Sequence, residues 1–571
     1  MNENSRRSLV PRDPGGLAPT GGEARGVASR MTEGVLDTIR TEQTSGTLTR
    51  VKIGLFEFRE ADYKQISRWA EMLGKDPREM TAILQEMSSS GSLSIDFGAL
   101  ASHPLDKFSL TLEPPRFSVI DGSIKCLMWD LSRFPLENFD WQNGLSVEYL
   151  WVYGKGPDLF ENWPSSLSSS LRSLTCRNME LAAIDLTSVP NLIRLDCSHN
   201  ALRVLDLSPT ASLREVLCDF NDLVELDLSA VHLLTGLSCG SNRIERLSLE
   251  SIPQLEYLNC ARNRLAALDL SPVSELIELK CTDNEFFVLN LTSVAKLTKL
   301  WASVQKLKQL DLEPVSELEV LSLRGAAVRD EEMNRVENSP ARADPLDLTM
   351  VPKLAFLECS DMSLGELDIS PVKDLKALVC FGSCLRGIEL SGVESLETLV
   401  CKSNPLDSLD LSCVPNLVRL DCSSCGLARL DIGTKLLLRD LSCEDNSLEE
   451  LDLSGTPKLR SLDCGKNRLK RLDIAWVPEL DALYCADNFL ESLDLTLVRG
   501  LTSLHCSRNR IEHLDCSRMR KCGLVRFSEN PLTYVKVPAW MWNGPNSLSI
   551  EMATRGMGFV EIDDNVLFYS D

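Results

Sequence analysis

Cysteine is the residue in this chain whose number and spacing could carry chemistry. Cys176, Cys197, Cys218, Cys239, Cys260 and Cys281 lie 21 residues apart. Two more steps land on Ala302 and Leu323, and a gap of 36, one period with 15 residues inserted, leads to Cys359. Cys380, Cys401, Cys422, Cys443, Cys464, Cys485 and Cys506 follow at 21 again, and the next step is Phe527. Fourteen of the 20 cysteines therefore occupy one repeat position. Thiols can form disulfides, bind a soft metal or act as nucleophiles. A single repeat position suggests instead a packing role, because cysteine is a small hydrophobe among the most buried residue types. Coils at strand spacing stand about 4.8 Å apart. Parallel inward side chains seldom supply the Cβ directions a disulfide needs, so free buried thiols are expected.

The elements that must hold these thiols follow from the rest of the unit, LxxLxCxxNxLxxLDLSxxPx, as in LIRLDCSHNALRVLDLSPTAS (Leu192 to Ser212). A fixed period of 20 to 29 residues with this leucine spacing marks a leucine-rich-repeat solenoid, in which stacked neighbours bury leucines that one unit cannot. The LxC segment is expected as a short parallel strand with leucine and cysteine inward. Asparagine follows the cysteine by three residues in eleven units, Asn200 to Asn530, where its amide can tie adjacent coils. That position is Met179, Gln305, Ala326, Met362, Ser383 and Cys425 in the others, so the centre of the array is irregular. LxxLDLS is too short for a long helix, and an extended segment is expected there.

The pattern resembles the short bacterial leucine-rich-repeat class called IRREKO, with consensus LxxLxCxxNxLxxLDL, over residues 171–537. The resemblance implies a bacterial source, an arc-shaped α/β-class horseshoe of mostly short parallel strands with a non-helical convex side, and protein recognition on the concave face. It supplies no catalytic residues.

Outside the array, residues 1–48 are rich in Gly, Ser, Arg and Pro and are expected to be disordered. A small helical region is expected over 49–104. Tyr63, Ile66, Trp69 and Leu73 share a helical face, and Asp76-Pro77 starts a second helix carrying Met80, Ile83, Leu84 and Met87. Residues 105–170 read as an N-terminal cap in which VEYLWV (Val147 to Val152) is a degenerate repeat strand. Residues 538–571 read as a β-rich C-terminal cap.

Several candidate sites emerge. Outward strand positions turn apolar in the middle of the array, at Tyr257, Trp301, Val320, Phe356, Val379, Phe381 and Val400, beside the 15-residue insertion near 329–345. Exposed apolar runs mark interaction surfaces, although the insertion could instead fold over them as a local core. Thirteen aspartates of the LDL segments, from Asp185 to Asp515, could gather calcium, but lack a calcium loop; turn capping is the stronger reading. Cys422 and Cys425 form a CxxC without a second pair, so neither zinc nor a redox centre is expected. Cys516 and Cys522, near His505, His513, Arg520 and Lys521, lack an obvious catalytic setting. The nucleotide-binding, hydrolase and metalloprotease motifs are absent.

The net charge of −23 argues against nucleic acid and anionic membranes as partners. No apolar run is long enough for a membrane span, and the N-terminus lacks a signal-peptide core. The expectation is a monomeric, non-enzymatic protein-binding scaffold without cofactor or metal. It would be either an effector exported by a needle-type system or a cytoplasmic adaptor. An enzyme would need its site within residues 50–170.

Overall fold

The computed structural model describes residues 39–44, 48–53, 56–59, 116–120, 123–130, 147–154, 169–303, 310–325, 346–362, 364–519, 525–537, 560–562 and 565–567. The chain divides into two units, Met1–Asn200 and Ala201–Asp571.

In the first unit, Ile39–Thr44, Leu48–Ile53 and Phe56–Arg59 form a three-stranded antiparallel sheet. These strands lie where the sequence suggested disorder and the start of a helical region. The Thr, Val and Ile residues of the first two strands favour β structure. The expected helices over 63–87 fall outside the described residues. A second sheet begins with Arg116–Ile120 antiparallel to Ser123–Asp130. It then runs parallel through Tyr149–Tyr153, Ser173–Thr175 and Arg194–Asp196. Leu150 faces Leu174 in register, which makes Val152 the counterpart of Cys176.

The second unit repeats one coil. Short parallel strands run from Glu215–Leu217 to Val525–Arg526, with the central apolar residue of each strand in register with the next. Leucine and cysteine alternate with outward residues because side chains change face at every residue of a strand. The inward leucines and the cysteine column are buried, and the column cysteines are free thiols. Burial pushes the column thiols up, to about 12 at Cys281, Cys380 and Cys506. Column thiols are thus packing groups.

Asparagine closes each coil onto its neighbour. Asn467 Nδ2 donates to the carbonyls of Cys443 on the preceding coil (2.9 Å) and of Cys464 and Gly465 on its own (3.1 and 3.0 Å). Its Oδ1 accepts the Leu448 N–H at 3.0 Å. Asn242, Asn263, Asn488 and Asn509 repeat this geometry. Just before the asparagine, two residues after the cysteine, the backbone turns left-handed, as at Phe220, Ser241, Arg262, Asp445, Lys466 and Arg508. That turn swings the amide inward.

On the opposite side, residues 171–303 and 364–519 contain no helix among the described residues, as the short LDL segment predicts. Each of the thirteen aspartates takes the N–H two residues on, for example Asp227 from Ser229 and Asp452 from Ser454, both at 2.9 Å. Short strands pair along this side at Glu366–Asp368 with Gly387–Glu389 and at His513–Asp515 with Tyr534–Val537. The last of these continues to Val560–Ile562 and Asn565–Leu567.

These caps make acid stability predictable. Turn N–H groups hold Asp227, Asp269 and Asp452 below the usual carboxylate range. A folded-state depression contributes stability that is present above the unfolded value, near 3.9, and is lost as pH falls through the folded value. Asn290 shows that an amide makes the same cap, accepting the Thr292 N–H at 3.0 Å without titrating. The triple variant Asp227→Asn/Asp269→Asn/Asp452→Asn should therefore shift the acid-unfolding midpoint, followed by circular dichroism, to lower pH. An unmoved midpoint would show that the caps add nothing to acid sensitivity.

Candidate recognition surface

The irregular centre has a local cause. Where asparagine gives way to Gln305, Ala326 and Met362, strands lengthen to five residues: Lys299–Ser303, Val320–Arg324 and Phe356–Ser360. Pairing then extends to Ser303↔Arg324↔Ser360, which widens the sheet.

Two outward rows cross this widened part. One reads Tyr257, Glu278, Lys299, Val320, Phe356, Ala377, Thr398; the other reads Asn259, Lys280, Trp301, Ser322, Glu358, Val379, Val400. All seven sequence-predicted residues, Tyr257, Trp301, Val320, Phe356, Val379, Phe381 and Val400, face outward and are half-buried. They do not form one continuous strip. Val320 abuts Phe356 and Val379 abuts Val400, whereas Tyr257 and Trp301 gather around Lys280.

The Lys280 ammonium lies 5.4 Å from the Tyr257 ring centre and 4.9 Å from that of Trp301, within cation–π range. It also pairs with Glu278 at 2.9 Å, and Glu278 reaches Lys299 at 3.4 Å. Burial would lower the Lys280 ammonium, but its bond to Glu278 and the nearby Tyr257 and Glu278 charges outweigh it, holding it above the usual lysine range.

Between Trp301 and Val379 stands a carboxylate that the search for apolar residues missed. Glu358 is 7% exposed; Ser322 Oγ donates to it at 2.7 Å and Arg324 Nε at 2.9 Å. Its outward position was readable from the alternation, but its burial depends on neighbouring coils. Ser360 Oγ, next along the same strand, is buried without a hydrogen-bond partner. Asp361 follows, its carboxyl raised by burial and by Glu358 against the opposing pull of Arg324. Beyond it, Lys402 lies 5.6 Å from the Phe381 ring centre. The insertion near 329–345 falls outside the described residues.

The other candidates resolve structurally. Cys422 belongs to the buried column, while Cys425 takes a ladder position and donates its S–H to the Cys401 carbonyl at 3.2 Å. Cys516 is fully buried, and burial raises its thiol, the opposite of what a nucleophile requires. Cys522 is outside the described residues. Among the described residues no three His, Cys, Asp or Glu side chains converge as a metal site would need, and no helix is long and apolar enough to cross a membrane.

No family model and no curated protein matches the chain. Among solved structures, it is similar to the functional domain of InlJ from Listeria monocytogenes, described as including a cysteine ladder. Sequence identity is 27%, the match covers 66% of this chain and 76% of that one, and the TM-score is 0.47. It is also similar to YopM from Yersinia enterocolitica (22% identity, covering 67% and 83%, TM-score 0.44). A Leptospira interrogans leucine-rich-repeat protein matches at 17% identity over 73% and 90%, with a TM-score of 0.39. The chain's own 21-residue period, its buried leucine and cysteine columns and its amide ladder make it a leucine-rich-repeat solenoid of the short, cysteine-bearing kind.

Proposed function

We propose that this protein is a non-enzymatic scaffold that binds a protein partner through the outward strand face of the coils between Tyr257 and Val400. The observation that carries this reading is the apolar content of an otherwise polar face. Phe356 and Val320 side by side, Val379 and Val400 side by side, and Trp301 nearby give a protein partner apolar anchors. The Ser322–Glu358–Arg324 network would fix orientation by directional hydrogen bonds.

The test is the double variant Trp301→Ser/Phe356→Ser, assayed by affinity capture from bacterial and host lysates and by thermal unfolding. The reading expects binding to fall at least tenfold with the melting temperature nearly unchanged. Unchanged capture with a lost melting transition would make these residues a local core instead.

The export reading rests on the first 48 residues, which contain Ser and Arg and few large apolar residues. A translocation reporter fused to residues 1–60 separates a needle-exported effector from a cytoplasmic adaptor.

A further inference from the structure

At the corner two residues after the cysteine position, acidic side chains find a partner on a neighbouring coil. Arg262 Nε reaches Asp283 at 3.4 Å. Arg508 reaches Asp487 at 3.4 Å and Glu529 at 3.1 Å. Ser424 Oγ donates to Asp445 at 2.8 Å. Asp361 occupies the same left-handed corner but has no such neighbour. The matching residues on the coils before and after it are Gly325 and Gly382. A Cβ on Gly382 would stand 2.8 Å from Asp361 Oδ1, so the carboxylate leans over the next coil at a position that carries no side chain. Among the described residues, no cation or hydrogen-bond donor is bonded to that carboxylate.

The residue before it is also unsatisfied. Ser360 shares the outward strand face with Glu358, because side chains alternate, and it stands in register with Arg324. The next coil places Phe381 beside it, with the Asp361 N–H donating to the Phe381 carbonyl at 2.8 Å. The Ser360 hydroxyl therefore adjoins the Phe381–Gly382 segment over which Asp361 leans. Ser360 is 0% exposed and its Oγ has no hydrogen-bond partner, whereas buried hydroxyls are generally paired. Neither nearby cation fills the gap. Arg324 directs its Nε to Glu358 at 2.9 Å, and Lys402 lies 5.6 Å from the Phe381 ring centre.

We propose that the notch formed by Asp361, Ser360, Gly325 and Gly382 receives an arginine side chain of the protein partner; this rests on the recognition face proposed above and names the partner's chemistry there.

The chain itself uses this pairing, since arginine is the cation it places on the corner carboxylates of Asp283, Asp487 and Glu529. A guanidinium presents its N–H donors in a planar fork, which bonds both oxygens of a carboxylate and keeps donors for a hydroxyl. A lysine ammonium lacks the fork and fits less well. An anionic or purely apolar side chain would leave Asp361 and Ser360 unpaired. The Arg324 side chain beside Ser360 is 56% exposed, so its outer end gives way to the incoming group. Apolar anchors adjoin the notch at Val320–Phe356 and Val379–Val400. The net charge of −23 steers basic partners toward the chain.

The test pans a random dodecapeptide phage library on the full chain and measures the selected sequences, as labelled synthetic peptides, by fluorescence anisotropy. The expected peptides carry arginine, and binding weakens about tenfold or more when that arginine becomes alanine, and less when it becomes lysine. Asp361→Asn keeps the shape and suits a left-handed corner, so it should melt like the wild type yet bind the same peptides about tenfold more weakly. Ser360→Ala deletes an unpaired hydroxyl, so it should melt at the same or a higher temperature and still bind several-fold more weakly. Arginine peptides that bind Asp361→Asn as well as the wild type would overturn the notch and assign their preference to overall charge. Peptides without arginine that fail on folded Trp301→Ser/Phe356→Ser but not on Asp361→Asn would overturn the notch and leave the face standing. Peptides indifferent to both variants, or no selected peptide, would overturn notch and face together.

Discussion

Asn467→Ala should lower the unfolding free energy of the solenoid by about 3–5 kcal/mol. The side chain is 6% exposed and serves both neighbouring coils at once. Its loss strands the Leu448 N–H, which it holds at 3.0 Å inside the stack, and removes its three bonds to carbonyls, leaving that of Cys443 with Asn446 Nδ2 alone. Each buried group left without a partner costs about 1–3 kcal/mol, and no water of the unfolded chain offsets this. Two related changes rank the effect. Asn467→Ser keeps a single hydroxyl, and Ser383 already shows such a side chain reaching the Cys359 carbonyl at 2.5 Å; it should lose about half as much. Asn467→Asp directs a carboxylate at three carbonyl oxygens and should be at least as damaging as alanine. Urea unfolding of the three variants provides the measurement. Coils couple mainly to their neighbours, so the lost stability should appear first as early exchange of amides near coils 443–467. A loss under about 1 kcal/mol for the alanine variant would mean the amides merely accompany the fold.

The ladder was legible because its signal repeats: a residue that recurs at a fixed step among buried leucines must do the same job in each coil. The same holds for the cysteine column and for the aspartate caps. What could not be read depends on contacts between coils or on backbone geometry without a residue signature. The left-handed turn falls on residues as different as Phe220, Arg262, Asp445 and Lys466, because coil closure imposes it whatever the side chain. Lys435 takes a position that valine usually fills and is 3% exposed, with its ammonium near Asp410 and Asp431. Only the coil-to-coil placement of those carboxylates makes a lysine tolerable there. Glu358 sat at a predictable outward position, but its burial comes from Ser322 and Arg324 on the preceding coil, across an insertion that breaks the 21-residue count. Cys425 could be recognised as an asparagine replacement, while its bond to the Cys401 carbonyl needed both coils in place.

Gly325→Ala should disrupt the solenoid where the proposed face is widest. A Cβ at Gly325 would stand 1.6 Å from the Asp361 carbonyl oxygen and 2.5 Å from its carbon, both backbone atoms that no rotamer can move. The Gly325 N–H also donates to the Ser360 carbonyl at 2.9 Å, so the two coils cannot separate to admit a methyl group without breaking that bond. Overpacking of this kind costs about 1–3 kcal/mol or more. The damage should spread to Arg324, the residue before it, and hence to the bond that holds Glu358 between Trp301 and Val379. Gly387→Ala is the matched control: its Cβ meets nothing within 4 Å and its backbone is not left-handed, so stability should hold or rise slightly. Gly365→Ala isolates strain, because its Cβ also meets open space but its φ is +71°; a cost of about 1 kcal/mol is expected. Melting curves and partner capture for the three variants should therefore separate steric wedging from backbone strain. If Gly325→Ala melts like Gly387→Ala, the coils at Gly325 and Asp361 are not in close contact, and the widened sheet cannot hold Glu358 as described.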